Sequence, residues 1–229
     1  MIEPWGMTMK LYRCPLTCSE AVELALVEGG VAYEPVEATI FTPESTLVAD
    51  GSPLARIHPK GYVPILELDD GQRLTEVPAI LSYIADISQS STLFKPTDAF
   101  SRARQIEWLA FTSSELHKGV SMLGGSRLLP EAKDRMSKRY ARLINHVDQH
   151  LSTRQYLVQN QFGVADCFMV LILDVWIPLT RIVDLSPHKN IERYVGEINK
   201  RSNVQKVIGR AREAARAMQK SMAGAGRAL

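Results

Sequence analysis

The chain has 229 residues, 45% of them hydrophobic and 23% charged, enough for two modest domains that each bury a core. A formal net charge of +2 is too small to point to nucleic acid or an acidic membrane surface as a partner. The most basic stretch, 200–220, interleaves its charges with Val204, Val207, Ile208, Ala211 and Met218 at helical spacing, which describes a solvated helix face.

Residues 1–8 lack the apolar run of a signal peptide and read as an N-terminal extension. Residues 9–13 read as a strand. Thr17-Cys18-Ser19-Glu20 has the form of a capping box, with Thr17 as N-cap and Glu20 at N3, and predicts a helix that closes at Gly29-Gly30. Residues 31–38 give a second strand, so the chain opens β-α-β. Residues 39–58, punctuated by Pro43, Gly51 and Pro53, read as irregular. Asp69-Asp70-Gly71, flanked by the segments 65–68 and 72–75, predicts a hairpin. Pro78 suits the first turn of a helix whose apolar face carries Ile80, Leu81 and Ile84. The order β-α-β, hairpin, α is the content of a thioredoxin-like α/β domain over 9–86.

Residues 87–97 read as a linker, and strand signals stop beyond it. An all-α domain is expected over 98–222, with helices near 99–120, 131–151, 164–177, 188–200 and 203–222, followed by a tail at 223–229. The 164–177 stretch is apolar nearly all round and reads as the central buried helix, too short to span a bilayer. Three cysteines, Cys14, Cys18 and Cys167, form an odd set without need of staples, so free thiols and a cytoplasmic location are expected. The five histidines are scattered and suggest no metal site.

Cys18 stands at a helix start, where the dipole can lower a thiol pKa from ~8.5 toward 7 or below. Cys14, on the loop ahead of the same helix, is a rival nucleophile. The Cys14-Pro15-Leu16-Thr17-Cys18 spacing leaves a disulfide between them open, and Cys167 reads as core.

An ordered set of segments resembles the cytosolic glutathione transferases, closest to the bacterial beta class. It comprises Lys10-Leu11-Tyr12, Pro15, Cys18-Ser19, Pro59-Lys60-Gly61-Tyr62-Val63-Pro64, Asp69-Asp70-Gly71, Leu74-Thr75-Glu76, and Ala79-Ile80 with Tyr83-Ile84-Ala85-Asp86. In the helical half it continues with Ile106-Glu107-Trp108-Leu109, Glu115-Leu116-His117-Lys118-Gly119 and Val164-Ala165-Asp166. The likeness runs from about Met9 to Met218. It implies a glutathione-transferase fold, with glutathione as co-substrate and its thiolate presented to a small hydrophobic electrophile. It also implies a homodimer, the first domain of one subunit against the second of the other.

The resemblance assigns residues as well. Cys18 would face the glutathione sulfur and form a mixed disulfide with it. Tyr62, Val63 and Pro64 would make a cis-proline turn whose backbone reads the cysteinyl part. Glu76 would pair with the α-amino group of the γ-glutamyl moiety, with Val77 at the helix start beside it. His117 and Lys118 would project toward the site, and Asp166 would cap the buried helix. The pattern is broken in four places: Val77-Pro78 stands where beta members carry Ser or Gly after the Glu, Gly163 where Ser or Thr opens the buried helix, Ala110 for Asn, and Arg13 for an aromatic residue. Two other functions fit the same residues. One is a glutathione-dependent disulfide reductase attacking with Cys14 or Cys18; the other is a non-catalytic interaction module.

Overall fold

The computed structural model describes residues 9–40, 46–125 and 128–224. The expected N-terminal extension, Pro43 and positions 225–229 of the tail lie outside the described residues.

The central strand β1 (Met9–Arg13) pairs in parallel with β2 (Tyr33–Ile40) and antiparallel with β4 (Ile65–Glu67). β3 (Thr46–Val48) and β5 (Arg73–Leu74) form the edges, giving the order β3-β2-β1-β4-β5. Helix α1 (Ser19–Glu28) makes the crossover and ends in a Schellman motif. Gly30 adopts φ 64°, and Val31 N–H reaches the Leu26 carbonyl at 2.9 Å. β3 corrects the reading of 39–58 as irregular. Its three residues are too few for an alternation to register, although they pair antiparallel with the end of β2, Ala38 opposite Val48 and Ile40 opposite Thr46. At the hairpin, Gly71 takes φ 81° and Leu68 N–H bonds the Gln72 carbonyl at 2.8 Å.

The expected capping box does not form. Thr17 Oγ1 donates to the Cys14 carbonyl at 2.7 Å, and α1 starts at Ser19 with Cys18 as N-cap. Glu20 turns inward, because Arg13 is only 5% exposed and needs carboxylates around it. The Arg13 guanidinium lies 3.4 Å from Glu20, 3.0 Å from Glu23 and 2.6 Å from Glu37.

Helix α2 (Val77–Ile87) completes the first domain with Pro78 in its first turn. The helix expected near 99–120 runs on through α3 (Ala99–Phe111), a π-helical stretch (Thr112–His117) and α4 (Lys118–Gly125). After α5 (Pro130–Leu151), the buried helix is likewise interrupted: α6 (Val164–Leu171), a π stretch (Ile172–Trp176) and α7 (Ile177–Thr180). Helices α8 (Lys189–Ile198) and α9 (Ser202–Gly224) close the chain. Gly119 permits the α4–α5 approach, since a Cβ there would stand 2.6 Å from the Tyr140 ring.

One apolar cluster joins the two halves, packing Leu24, Ile80 and Ile84 with Phe168 and Val170. A smaller one, with Tyr12, Leu54, Val63 and Ile65, forms a separate cluster in the sheet domain. Asp166 is fully buried at the start of α6. Its carboxylate accepts from Gly163 N–H at 2.9 Å, Leu157 N–H at 3.0 Å and the Tyr194 hydroxyl at 2.8 Å. Burial pushes this carboxyl up to about 6 against the pull of those donors. Two arginines from the C-terminal segment cross to α1: Arg201 grips Glu28 at 2.7 and 2.9 Å, and Arg210 reaches Glu23 at 2.6 Å. Among the described residues no helix is long and apolar enough to cross a membrane.

Candidate active site

The loop between β1 and α1 turns through Leu16 at φ 60° and sets Cys18 at the helix start, half-buried. The Cys18 thiol lies 3.8 Å from the Val63 carbonyl, in donor geometry. The Val63–Pro64 peptide is cis. The expected drop in thiol pKa is overturned: burial pushes Cys18 up to about 12. The Glu76 charge adds to the rise, and the Lys118 charge opposes it. Sγ packs against the core, and desolvation of a thiolate there outweighs what the helix end and one lysine return. Burial raises the Cys14 thiol too, but Cys14 packs with the smaller cluster, beside Tyr12 and Val63. All three cysteines are free thiols.

Across from Cys18, Glu76 is the N-cap of α2 at φ 69°, ψ 118°. A non-glycine residue there costs on the order of 1–3 kcal/mol. Glu76 Oε1 accepts from Lys60 Nζ at 2.6 Å and from the Tyr62 hydroxyl at 2.8 Å. The Lys60 hydrogen bond, then that of Tyr62, hold the Glu76 carboxyl below its usual range. The Val77 side chain is 5% exposed and faces the core. Neither it nor the proline that follows brings a hydroxyl to the helix start.

His117 ends the first π stretch. Its ring lies 4.6 Å from that of Trp176, which ends the second, and 5.7 Å from Phe168. Burial drives the imidazole down to about 4, so it is neutral near pH 7. Lys118, the next residue, is exposed. Beyond Cys18 the loop residue Leu16 helps wall a pocket of about 240 Å³ with Val120, Ser121, Trp176, Leu179 and Thr180. Its hydroxyls are already spent: Ser121 Oγ donates to the His117 carbonyl at 2.9 Å and Thr180 Oγ1 to the Trp176 carbonyl at 2.8 Å. A Cβ on Gly124 would stand 2.6 Å from the Thr180 methyl, so glycine keeps this wall close-packed. A larger cavity of about 450 Å³, between α3 and α5, is lined by Phe100, Trp108, Phe111, His146 and His150. It contains none of Cys18, Val63 or Glu76 and is separate from this site.

Residues 17–87 match the glutathione S-transferase N-terminal domain, and residues 111–202 match the C-terminal domain of the same family. The structure resembles that of a sphingomonad glutathione S-transferase complexed with glutathione, at TM-score 0.78 and 31% identity, over 90% of this chain and 98% of that one. The chain belongs to the glutathione S-transferase family. Within it, a bacterial beta class glutathione S-transferase from Sphingomonas chungbukensis is 32% identical, with TM-score 0.77 over 90% of this chain and 98% of its own. Glutathione S-transferase GstA of Escherichia coli O157:H7 is 29% identical over 87% of this chain and 97% of its own. The beta-class likeness expected from the sequence therefore holds, as does the two-part fold of a mixed thioredoxin-like sheet domain and a helical domain.

Sequence reasoning passed over two elements of this site. Lys60 stands inside a longer segment with nothing in the sequence to single it out, and Trp176 inside an apolar helix. Nothing in spacing alone marks a π turn, which is what swings Trp176 toward His117.

Proposed function

We propose that this glutathione S-transferase lays glutathione along the edge formed by Val63, with its γ-glutamyl ammonium at Glu76 and its sulfur at Cys18. The observation that carries this is the Cys18 thiol 3.8 Å from the Val63 carbonyl, with the apolar pocket opening from Leu16. Cys18 keeps its proton and serves as an S–H donor to the glutathione thiolate, assisted by the α1 N-terminus and the Lys118 charge. The pocket receives an electrophile that is hydrophobic and uncharged, because its named lining residues carry no charge. The thiolate attacks the electrophilic carbon; the C–S bond forms, and the bond to the leaving group breaks with its electron pair going to that group. His117, neutral, packs against Trp176, the ring that walls the pocket.

The reductase and interaction-module readings are not favoured. A reductase needs an activated protein thiolate, and burial raises both Cys14 and Cys18. The departures at Val77, Pro78 and Gly163 leave Cys18, Val63 and Glu76 assembled. The active form is a homodimer; exposed Phe100 and Ile106 on α3, with Leu129 ahead of α5, supply apolar surface for the partner.

Conjugation of glutathione to an aromatic halide tests the reading. Cys18→Ala should lower kcat by roughly 10- to 100-fold, the worth of one hydrogen bond to a charged group, and shift the rising limb of the pH–rate profile upward. Cys14→Ala should leave both unchanged. Loss of turnover in Cys14→Ala with Cys18→Ala intact would reverse the assignment.

A further inference from the structure

The γ-glutamyl end of glutathione carries an ammonium and a carboxylate on one carbon, and Glu76 answers only the first. For the carboxylate the start of α2 gives less than a Ser there would: Val77 keeps its N–H but has no hydroxyl, and Pro78 has no N–H. A cation is nevertheless in place. Lys60 Nζ lies 2.6 Å from Glu76 Oε1 and 3.3 Å from Thr75 Oγ1, on a side chain 40% exposed. Its ammonium is also 5.7 Å from the centroid of the Tyr62 ring, whose hydroxyl shares Oε1. Both donors therefore engage one oxygen of a carboxylate whose side chain is 54% exposed.

We propose that Lys60 binds the α-carboxylate of the γ-glutamyl group, so that Lys60 and Glu76 together read the zwitterionic end of glutathione. The inference rests on the glutathione site proposed above. An exposed lysine–carboxylate pair is worth only about 0–1 kcal/mol, so a ligand that offers each partner a new counter-charge parts them at small cost. The lysine has three donors on a flexible stem and can keep Thr75 while turning toward the ligand. Tyr62 holds Glu76 in register as that exchange occurs. Lys60 thereby replaces the donors that Val77-Pro78 lacks.

The opposite arrangement is a plug, in which Lys60 competes with the ligand ammonium for Glu76. The two differ in sign. Calorimetric titration of the full chain with glutathione and with γ-aminobutyryl-cysteinyl-glycine, which keeps the amine but lacks the α-carboxylate, separates them. Lys60→Met should weaken glutathione about 10-fold and leave the analogue within about two-fold, while Lys60→Arg stays close to the parent. In turnover, KM for glutathione should rise with kcat held. Tighter glutathione binding by Lys60→Met, or equal weakening of both ligands, would overturn the proposal. Failure of the parent protein to bind either ligand would instead overturn the site itself, and the lysine role with it.

Discussion

At Cys18 a helix end and a lysine pull the thiol toward ionisation, while burial against the Val63 carbonyl pulls the other way. Burial wins, with the thiol near 12. The sign has a direct consequence. A thiol pKa raised in the folded state keeps its proton through the neutral range, and folding favours that proton up to the folded value. Alkylation of Cys18 by iodoacetamide should therefore accelerate continuously through pH 10 with no plateau near neutrality. A plateau at pH 7 would mean an activated thiolate and would revive the reductase reading. The position of this cysteine was legible in the sequence, because the strand, turn and helix signals around it are local. Its protonation was not, since desolvation depends on what Val63 and the second domain bring over it. Glu76 is legible at its helix start, whereas the role of Lys60 is not, because their 2.6 Å pairing joins the loop ahead of Val63 to the α2 start.

At the scale of elements, the start of α6 shows how one missing side chain is managed. Gly163 lacks the oxygen a Ser or Thr would offer, and Asp166 carries the helix start alone through three hydrogen bonds. Asp166→Ala should cost about 3–5 kcal/mol in urea unfolding, because it leaves two buried N–H groups and the Tyr194 hydroxyl without an acceptor. Gly163→Ser should gain up to about 1 kcal/mol. A Cβ there meets Phe94 only at ordinary contact, 3.5 Å, and the new hydroxyl would lie near Gln105 Oε1, which is buried without a partner. Strand and helix identities followed the sequence where periodicity spans many residues, as in α5. β3, of three residues, escaped it. The π stretches also escaped, because Thr112–His117 and Ile172–Trp176 continue the same apolar faces as the helices they interrupt. His117 and Trp176 end those stretches with their rings 4.6 Å apart, and Trp176 lines the pocket.

For the whole molecule, the two domains are fastened by a shared apolar cluster and by charges that α1 buries and the C-terminal segment answers. Glu28 is 1% exposed at its side chain and depends on Arg201, itself 24% exposed. Arg201→Ala should therefore cost about 2–4 kcal/mol, measured as a lower urea midpoint, by stranding a buried carboxylate. Replacing Glu28 as well, by Gln, should recover part of the loss. Such pairs join residues far apart in the chain and cannot be seen in it. The order of domains could be, because the β-α-β opening and the later helices are each locally written. The Arg13 departure is likewise intelligible only in three dimensions, where Glu20, Glu23 and Glu37 surround it. On the proposed reading, the assembled Cys18, Val63 and Glu76 hold glutathione despite Val77 and Pro78. Calorimetric titration with reduced glutathione tests it most directly. One glutathione should bind per chain, saturably and in the micromolar to low millimolar range, with strong weakening in Glu76→Ala. No heat and no thermal shift at about 10 mM glutathione would contradict it.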